Sequence, residues 1–175
     1  MLKIHHGNLH REQSTSMNKR SLAISSDKKQ IVQRLHTIQP SSPRLWGKMA
    51  APQMICHLAD SFRVTIGEKT WTTQRISITW IPVPCWFVKW VALEVPLPWP
   101  RGLKTRPEVD QELEGTPPRE FRADIDDLLR LMDRFTGRPK EFEWQPHPIF
   151  GLMEDADWMR WGYLHMDHHL RQFGV

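Results

Sequence analysis

Cysteine is nearly missing from this chain: Cys56 and Cys85 are the only two, and their separation fits no zinc or redox motif. That excludes a disulfide-stapled secreted scaffold and leads us to expect a reducing compartment, the cytoplasm. Also missing is an uninterrupted apolar run of the roughly 20 residues that a bilayer span requires. The most apolar stretch, Ile76 to Trp99, is cut by Pro82, Pro84, Pro96 and Pro98 and carries Lys89 and Glu94. The first residues lack the apolar core of a signal peptide, so no membrane partner is expected. A basic surface is lacking too. Residues 1–36 hold seven Lys or Arg against two acidic groups, which leaves 17 basic and 18 acidic groups for the rest. A nearly neutral domain behind a basic leader argues against nucleic acid as a partner. Alternation of period two is absent as well, which excludes a sheet-based fold.

What is present is tryptophan, proline and helical periodicity. Nine tryptophans are spread along the chain and 39% of residues are hydrophobic, enough for one domain with rings packed irregularly around a pocket. Residues 1–25 show no apolar period and are expected to be a disordered basic leader, in which His5, His6 and His10 are tail histidines and Met17 is a second candidate start. From residue 26 the pattern is helical to the end. Ser26 is placed as the cap of a short first helix with Ile31, Leu35 and Ile38 on its apolar side. A second helix opens at Pro52 and runs to Gly67, with Met54, Leu58, Phe62 and Ile66 as its stripe. A third, from about Pro84 to Val95, is apolar nearly all round and is expected to be the most buried element. After a long proline-rich loop, Thr116 is placed as the cap of a fourth helix ending at Gly137, with Phe121, Ile125, Leu128, Leu129, Met132 and Phe135 facing inward. The last helix covers Asp155 to Phe173.

The last helix holds the chemistry. His165 and His169 are i and i+4, one turn apart on one face, and Trp158, Trp161 and Gly162 continue that face. His168 points about a quarter-turn away. Neutral imidazoles suit zinc, nickel, copper and iron alike. His57, beside the stripe of the second helix, is the candidate third ligand, because bundle metal sites are built from side chains on facing helices. Three imidazoles leave a coordination position open, the pattern of a catalytic site. Asp60 or Asp167 could orient an imidazole through its second nitrogen. His147, between two prolines, is placed as a pocket histidine, either an outer-sphere hydrogen-bonding group or a proton carrier, with Trp161 and His168 as further pocket residues. The open position is expected to be covered by the 96–118 loop or by the turn HPIFG (147–151), with the turn as the nearer wall.

The stretches LWGKMAAPQMICHLADSFR (45–63), LPWPRGLKTRPEVDQE (97–112), HPIFG and DWMRWGYLHMDHHLRQFG (157–174) together resemble the DinB/YfiT-like superfamily, and in particular its bacterial branch of unknown function. The resemblance covers residues 26–175. It implies an all-α, DinB-like four-helix bundle, here with a short extra N-terminal helix and a long proline-rich loop. It also implies a divalent ion, zinc or nickel, on His57, His165 and His169. Relatives in the superfamily include transferases that join low-molecular-weight thiols to electrophiles, and metal-dependent hydrolases. The expectation is therefore a metal-dependent thiol transferase acting on a small molecule. A hydrolase, or a metal-binding module without catalysis, is the alternative. The resemblance leaves room for a homodimer. A Ser or Thr commonly caps the last helix in such proteins; Glu154 or Asp155 stands there in this chain.

Overall fold

The computed structural model describes residues 19–70 and 83–175. The remainder of the leader, with His5, His6, His10 and Met17, and the 71–82 part of the connection before the third helix lie outside the described residues. Five α-helices and one 3-10 turn make up the described fold, and no strand occurs among these residues: α1 Ser25–Leu35, α2 Ala51–Thr65, α3 Cys85–Glu94, the turn Pro107–Val109, α4 Phe121–Thr136 and α5 Asp155–Gln172. None of these helices is long and apolar enough to cross a membrane.

The helix at the centre is α2. Pro52 sits in its first turn, where a missing N–H costs nothing. Nearly its whole circumference is buried, including the predicted stripe Met54, Leu58, Phe62 and, just past its end, Ile66. It packs along α4 and touches α5 and the 3-10 turn, while α1 and α3 lie on α5. Of the expected inward face of α4, Ile125, Leu128, Met132 and Phe135 are buried; Leu131 joins them, while Phe121 and Leu129 are only partly buried against the core. Each fully buried side chain contributes roughly 1.5–3 kcal/mol of apolar burial. Phe62 and Phe135 seal the α2–α4 contact with ring centroids 4.7 Å apart.

Two helix starts differ from expectation, each where a carboxylate takes over from a hydroxyl, and a third resolves an open choice. Ser26 does not cap α1; the buried Asp27 accepts from the Ser21 N–H at 2.9 Å, and the helix begins two residues earlier, with Ile24 at the cap position. Thr116 does not cap α4. Glu120 does, accepting from the N–H groups of Arg122 and Ala123, and residues 116–120 stay extended. At α5 the cap is Glu154, whose own N–H donates to Asp157 at 3.1 Å.

The expectation for α3 is corrected more substantially. Leu93 is its one buried residue, while Trp86 is 67% and Trp90 51% exposed. A helix apolar on every side gives no signal of which side docks. Here α3 meets the core through Val88, Ala92 and Leu93, with Lys89 paired to Asp157 of α5 at 2.6 Å. Its aromatic side is left outward.

The packed chain also begins earlier than residue 26. Leu22 is buried, and its N–H donates to the Met159 carbonyl at 3.1 Å. Its side chain fits because residue 162 is glycine: a Cβ there would lie 2.8 Å from Leu22 Cδ1. A single leucine among polar neighbours carries no period, so the sequence has no signal for this anchor. Leu22→Ala is expected to cost about 2–5 kcal/mol of stability, read as a lower urea midpoint at unchanged slope.

Candidate metal centre

The geometry brings His57 of α2 together with His165 and His169 of α5. The Nε2 atom of His165 lies 3.2 Å from Nε2 of His57 and 3.1 Å from Nε2 of His169. One ligand atom from each of the three residues lies within 4.8 Å of the others. Imidazole nitrogens about 2.0–2.1 Å from one tetrahedral ion stand about 3.3 Å apart, so these spacings are those of a shared ion. Three histidines close together could therefore bind a metal ion.

The second ring nitrogens fix which atoms face inward. His57 Nδ1–H donates to the Val109 carbonyl at 2.7 Å, and His169 Nδ1–H donates to Gln172 Oε1 at 2.9 Å. With the hydrogen held on Nδ1, each neutral ring turns a lone pair on Nε2 toward the others. Facing lone pairs repel one another unless a cation, or the hydrogen of an Nε2–H tautomer of His165, lies between them. A second proton, which would make an imidazolium, is disfavoured here. Burial lowers the pKa of all three, and neighbouring imidazoles push His165 and His169 further, well below the usual histidine range. Neutral imidazole is the form that binds metal.

Outer-sphere support comes from groups other than those expected. Asp60 does not orient His57. Fully buried, it accepts from the Thr116 N–H and hydroxyl at 2.6 and 2.7 Å and pairs with Arg63 and Lys69, tying the loop after the 3-10 turn onto α2. Burial alone would raise its pKa, but the Thr116, Arg63 and Lys69 contacts outweigh burial and lower it. Asp167 faces away from the cluster and pairs with Arg34 at 2.6 Å, clamping α1 to α5. The positioning acceptors are a loop carbonyl and Gln172. The glutamine was legible as the i+3 neighbour of His169; no side-chain pattern announces a carbonyl.

Trp161 and His168 flank the cluster as expected. The buried Trp161 ring lies 4.9 Å from that of His165, and half-buried His168 is edge-on to Trp46 at 4.9 Å. Trp99, which was not singled out, joins them 6.1 Å from His165, its indole N–H held by the Ala92 carbonyl at 2.9 Å. Cys56 turns away from the cluster, and burial with the Asp124 carboxylate pushes its thiol up to about 12, leaving it unreactive.

His147 does line a cavity with His57 and His165, in a setting that disfavours the proton-carrier role. Its Nδ1 accepts from the N–H groups of Ile149 and Phe150, both at 3.2 Å, and its ring stacks on Phe150. Burial, with the Arg106 charge nearby, drives its pKa down to about 3, so it stays neutral at physiological pH. The unfolded chain takes up a proton at this residue near pH 6.5 and the folded chain only near 3. Stability present above about pH 6.5 is therefore lost progressively as pH falls toward 3. His147→Asn, which keeps an acceptor but cannot titrate, is expected to flatten that slope in urea melts of metal-free protein.

Two cavities meet at the cluster. One, of about 440 Å³, is bounded by His57 and His165 together with α3, the 97–109 loop and the HPIFG turn. The other, of about 490 Å³, is bounded by all three histidines, the 47–49 segment and the 99–105 loop. Loop and turn both serve as walls, not the turn before the loop. In comparisons with known proteins, a family described as "Protein of unknown function (DUF1569)" matches residues 16–174. No curated protein and no solved structure matches the chain.

Proposed function

The chain belongs to the DUF1569 family, and from its site we propose that it is a divalent-metal enzyme transferring a low-molecular-weight thiol to a small electrophile. The observation that carries this reading is the convergence of three Nε2 atoms, two of them oriented by Nδ1–H bonds to Val109 and Gln172. We also place the fold with the DinB/YfiT-like four-helix bundles. The support is α2 packed on α4, with His57 facing the His-x-x-x-His turn of α5.

A zinc or nickel ion held there supplies a Lewis-acid position that favours the deprotonated form of a thiol. His57, His165 and His169 hold it as neutral ligands, and the Val109 carbonyl and Gln172 keep their rings aimed. Trp161 and Trp99 shield the cluster from water on the side of the apolar cavity. In the transfer itself a thiol R–SH loses its proton to solvent, its sulfur forms a bond to the electrophilic carbon, and the leaving group departs with the electron pair of the broken bond. A thiol with a pKa near 8.5 reaches its nucleophilic form more readily than water does, which favours thiol transfer; Asp110, which borders the three-histidine cavity, is the group that would serve as base in the hydrolytic alternative.

The test is conjugation of a chlorodinitrobenzene-type electrophile by zinc- or nickel-loaded protein across several thiols. Thiol-dependent turnover that disappears in His57→Ala is expected. Turnover of an ester with no thiol requirement would replace transfer by hydrolysis. Metal binding without either turnover would reduce the protein to a binding module.

A further inference from the structure

The two cavities that share the histidine cluster differ in chemistry. His57, His165, Trp99, Pro100 and Leu103 border both, so this row is the partition between them. On one side the walls are almost wholly apolar, formed by Val88, Val91, Ile149, Phe150 and Trp161. The single ionic side chain there, Arg106, has Glu108 3.5 Å away, and His147 is neutral. At about 440 Å³ the chamber holds a molecule of about two to three aromatic rings. On the other side are Lys48, Lys104, Thr105, His168 and Gln172, with Asp110 as the one carboxylate. That chamber alone is bordered by all three histidines.

We propose that the centre is two-sided, taking an apolar, ring-bearing molecule in the Val91–Ile149 chamber and, at the same time, a small carboxylate-bearing anion in the Lys48–Lys104 chamber. The inference deepens the transfer reading and rests on it for the roles: the apolar molecule is the electrophile and the anion carries the thiol. Desolvating a carboxylate against Val88, Val91 and Phe150 is strongly unfavourable, and two lysines and a divalent ion draw it to the other side. An apolar ring system gains by the opposite choice. The Trp99 ring, fixed to Ala92, stands between the two ligands and leaves contact between them only at His57 and His165.

The test uses the zinc-loaded full chain with two probes: N-phenyl-1-naphthylamine, neutral and fluorescent when buried, and mercaptosuccinate, followed by calorimetry. Both are expected to bind together. Val91→Asp, at a position 39% exposed and so tolerant of the change, should weaken the naphthylamine about tenfold or more and leave mercaptosuccinate within about twofold. Ile149→Asp, checked for folding by circular dichroism, should act the same way. Lys104→Glu should do the reverse, weakening mercaptosuccinate about fivefold or more. Probes that displace each other on zinc-bearing protein, or variants that move both probes equally, would overturn the two-sided site and leave the metal reading standing. Protein that takes up no zinc yet binds both probes together would sink the metal reading and leave the two chambers standing.

Discussion

His165→Ala is expected to abolish stoichiometric metal binding while leaving the fold intact. The ring is half-buried, and its Nε2 is the atom that both other histidines approach, at 3.2 and 3.1 Å. A four-ligand zinc site contributes about 10–16 kcal/mol, so one ligand is worth about 3 kcal/mol or more, which is a loss of about 100-fold in affinity at least. Burial and the charges of His169 and His57 both weigh on the His165 imidazole, a penalty that alanine does not carry. Metal-free variant and metal-free wild type should therefore unfold at similar urea concentrations. Competition with a chromogenic chelator measures the affinity. A variant within threefold of wild type would mean that His165 is not a ligand.

Asp60→Ala is expected to be the most damaging single change for stability, at about 3–5 kcal/mol. The carboxylate is fully buried between Arg63, Lys69 and Thr116, so its removal leaves Lys69 without its carboxylate, leaves Arg63 with Asp127 alone, and frees the loop after the 3-10 turn. That loop continues directly from the 3-10 turn that carries the Val109 carbonyl, and metal affinity should fall as well, by about tenfold, as outer-sphere losses do. Because the folded pKa of Asp60 lies below its unfolded value near 3.9, its contribution is complete above about pH 4 and is lost as pH falls below that. Urea melts at pH 7 and pH 3 separate the two regimes. The gap between variant and wild type should be wide at pH 7 and narrower at pH 3. An equal gap at both would show that the carboxylate's charge is not what holds the loop.

The parts of this protein that were legible in the sequence are those where one periodic face does one job. The stripes of α2 and α4 and the i, i+4 histidines of α5 fall where a 3.6-residue period puts them. That His57 meets the α5 pair was readable only by joining a lone histidine on an inward helix to a facing helix. Illegible were the features decided by a second segment. Asp60 and Asp167 read as imidazole partners because carboxylates often are, yet Thr116 and Arg34, 56 and 133 residues away in the chain, take them instead. The aromatic side of α3 faces outward because Val88, Ala92 and Leu93 dock, a choice that an all-apolar pattern cannot encode. His147 has the composition of a proton carrier, but burial against Phe150 removes the charge that the role requires.

The central claim is that three imidazoles share one divalent ion. X-ray absorption at the metal edge, on tag-free protein loaded with one equivalent of zinc, addresses it most directly. The account predicts three nitrogen scatterers at about 2.0–2.1 Å with imidazole outer-shell features and one further light-atom ligand. It also predicts that one imidazole is lost from the spectrum in His57→Ala. A sulfur shell near 2.3 Å, or a spectrum unchanged by His57→Ala, would contradict it.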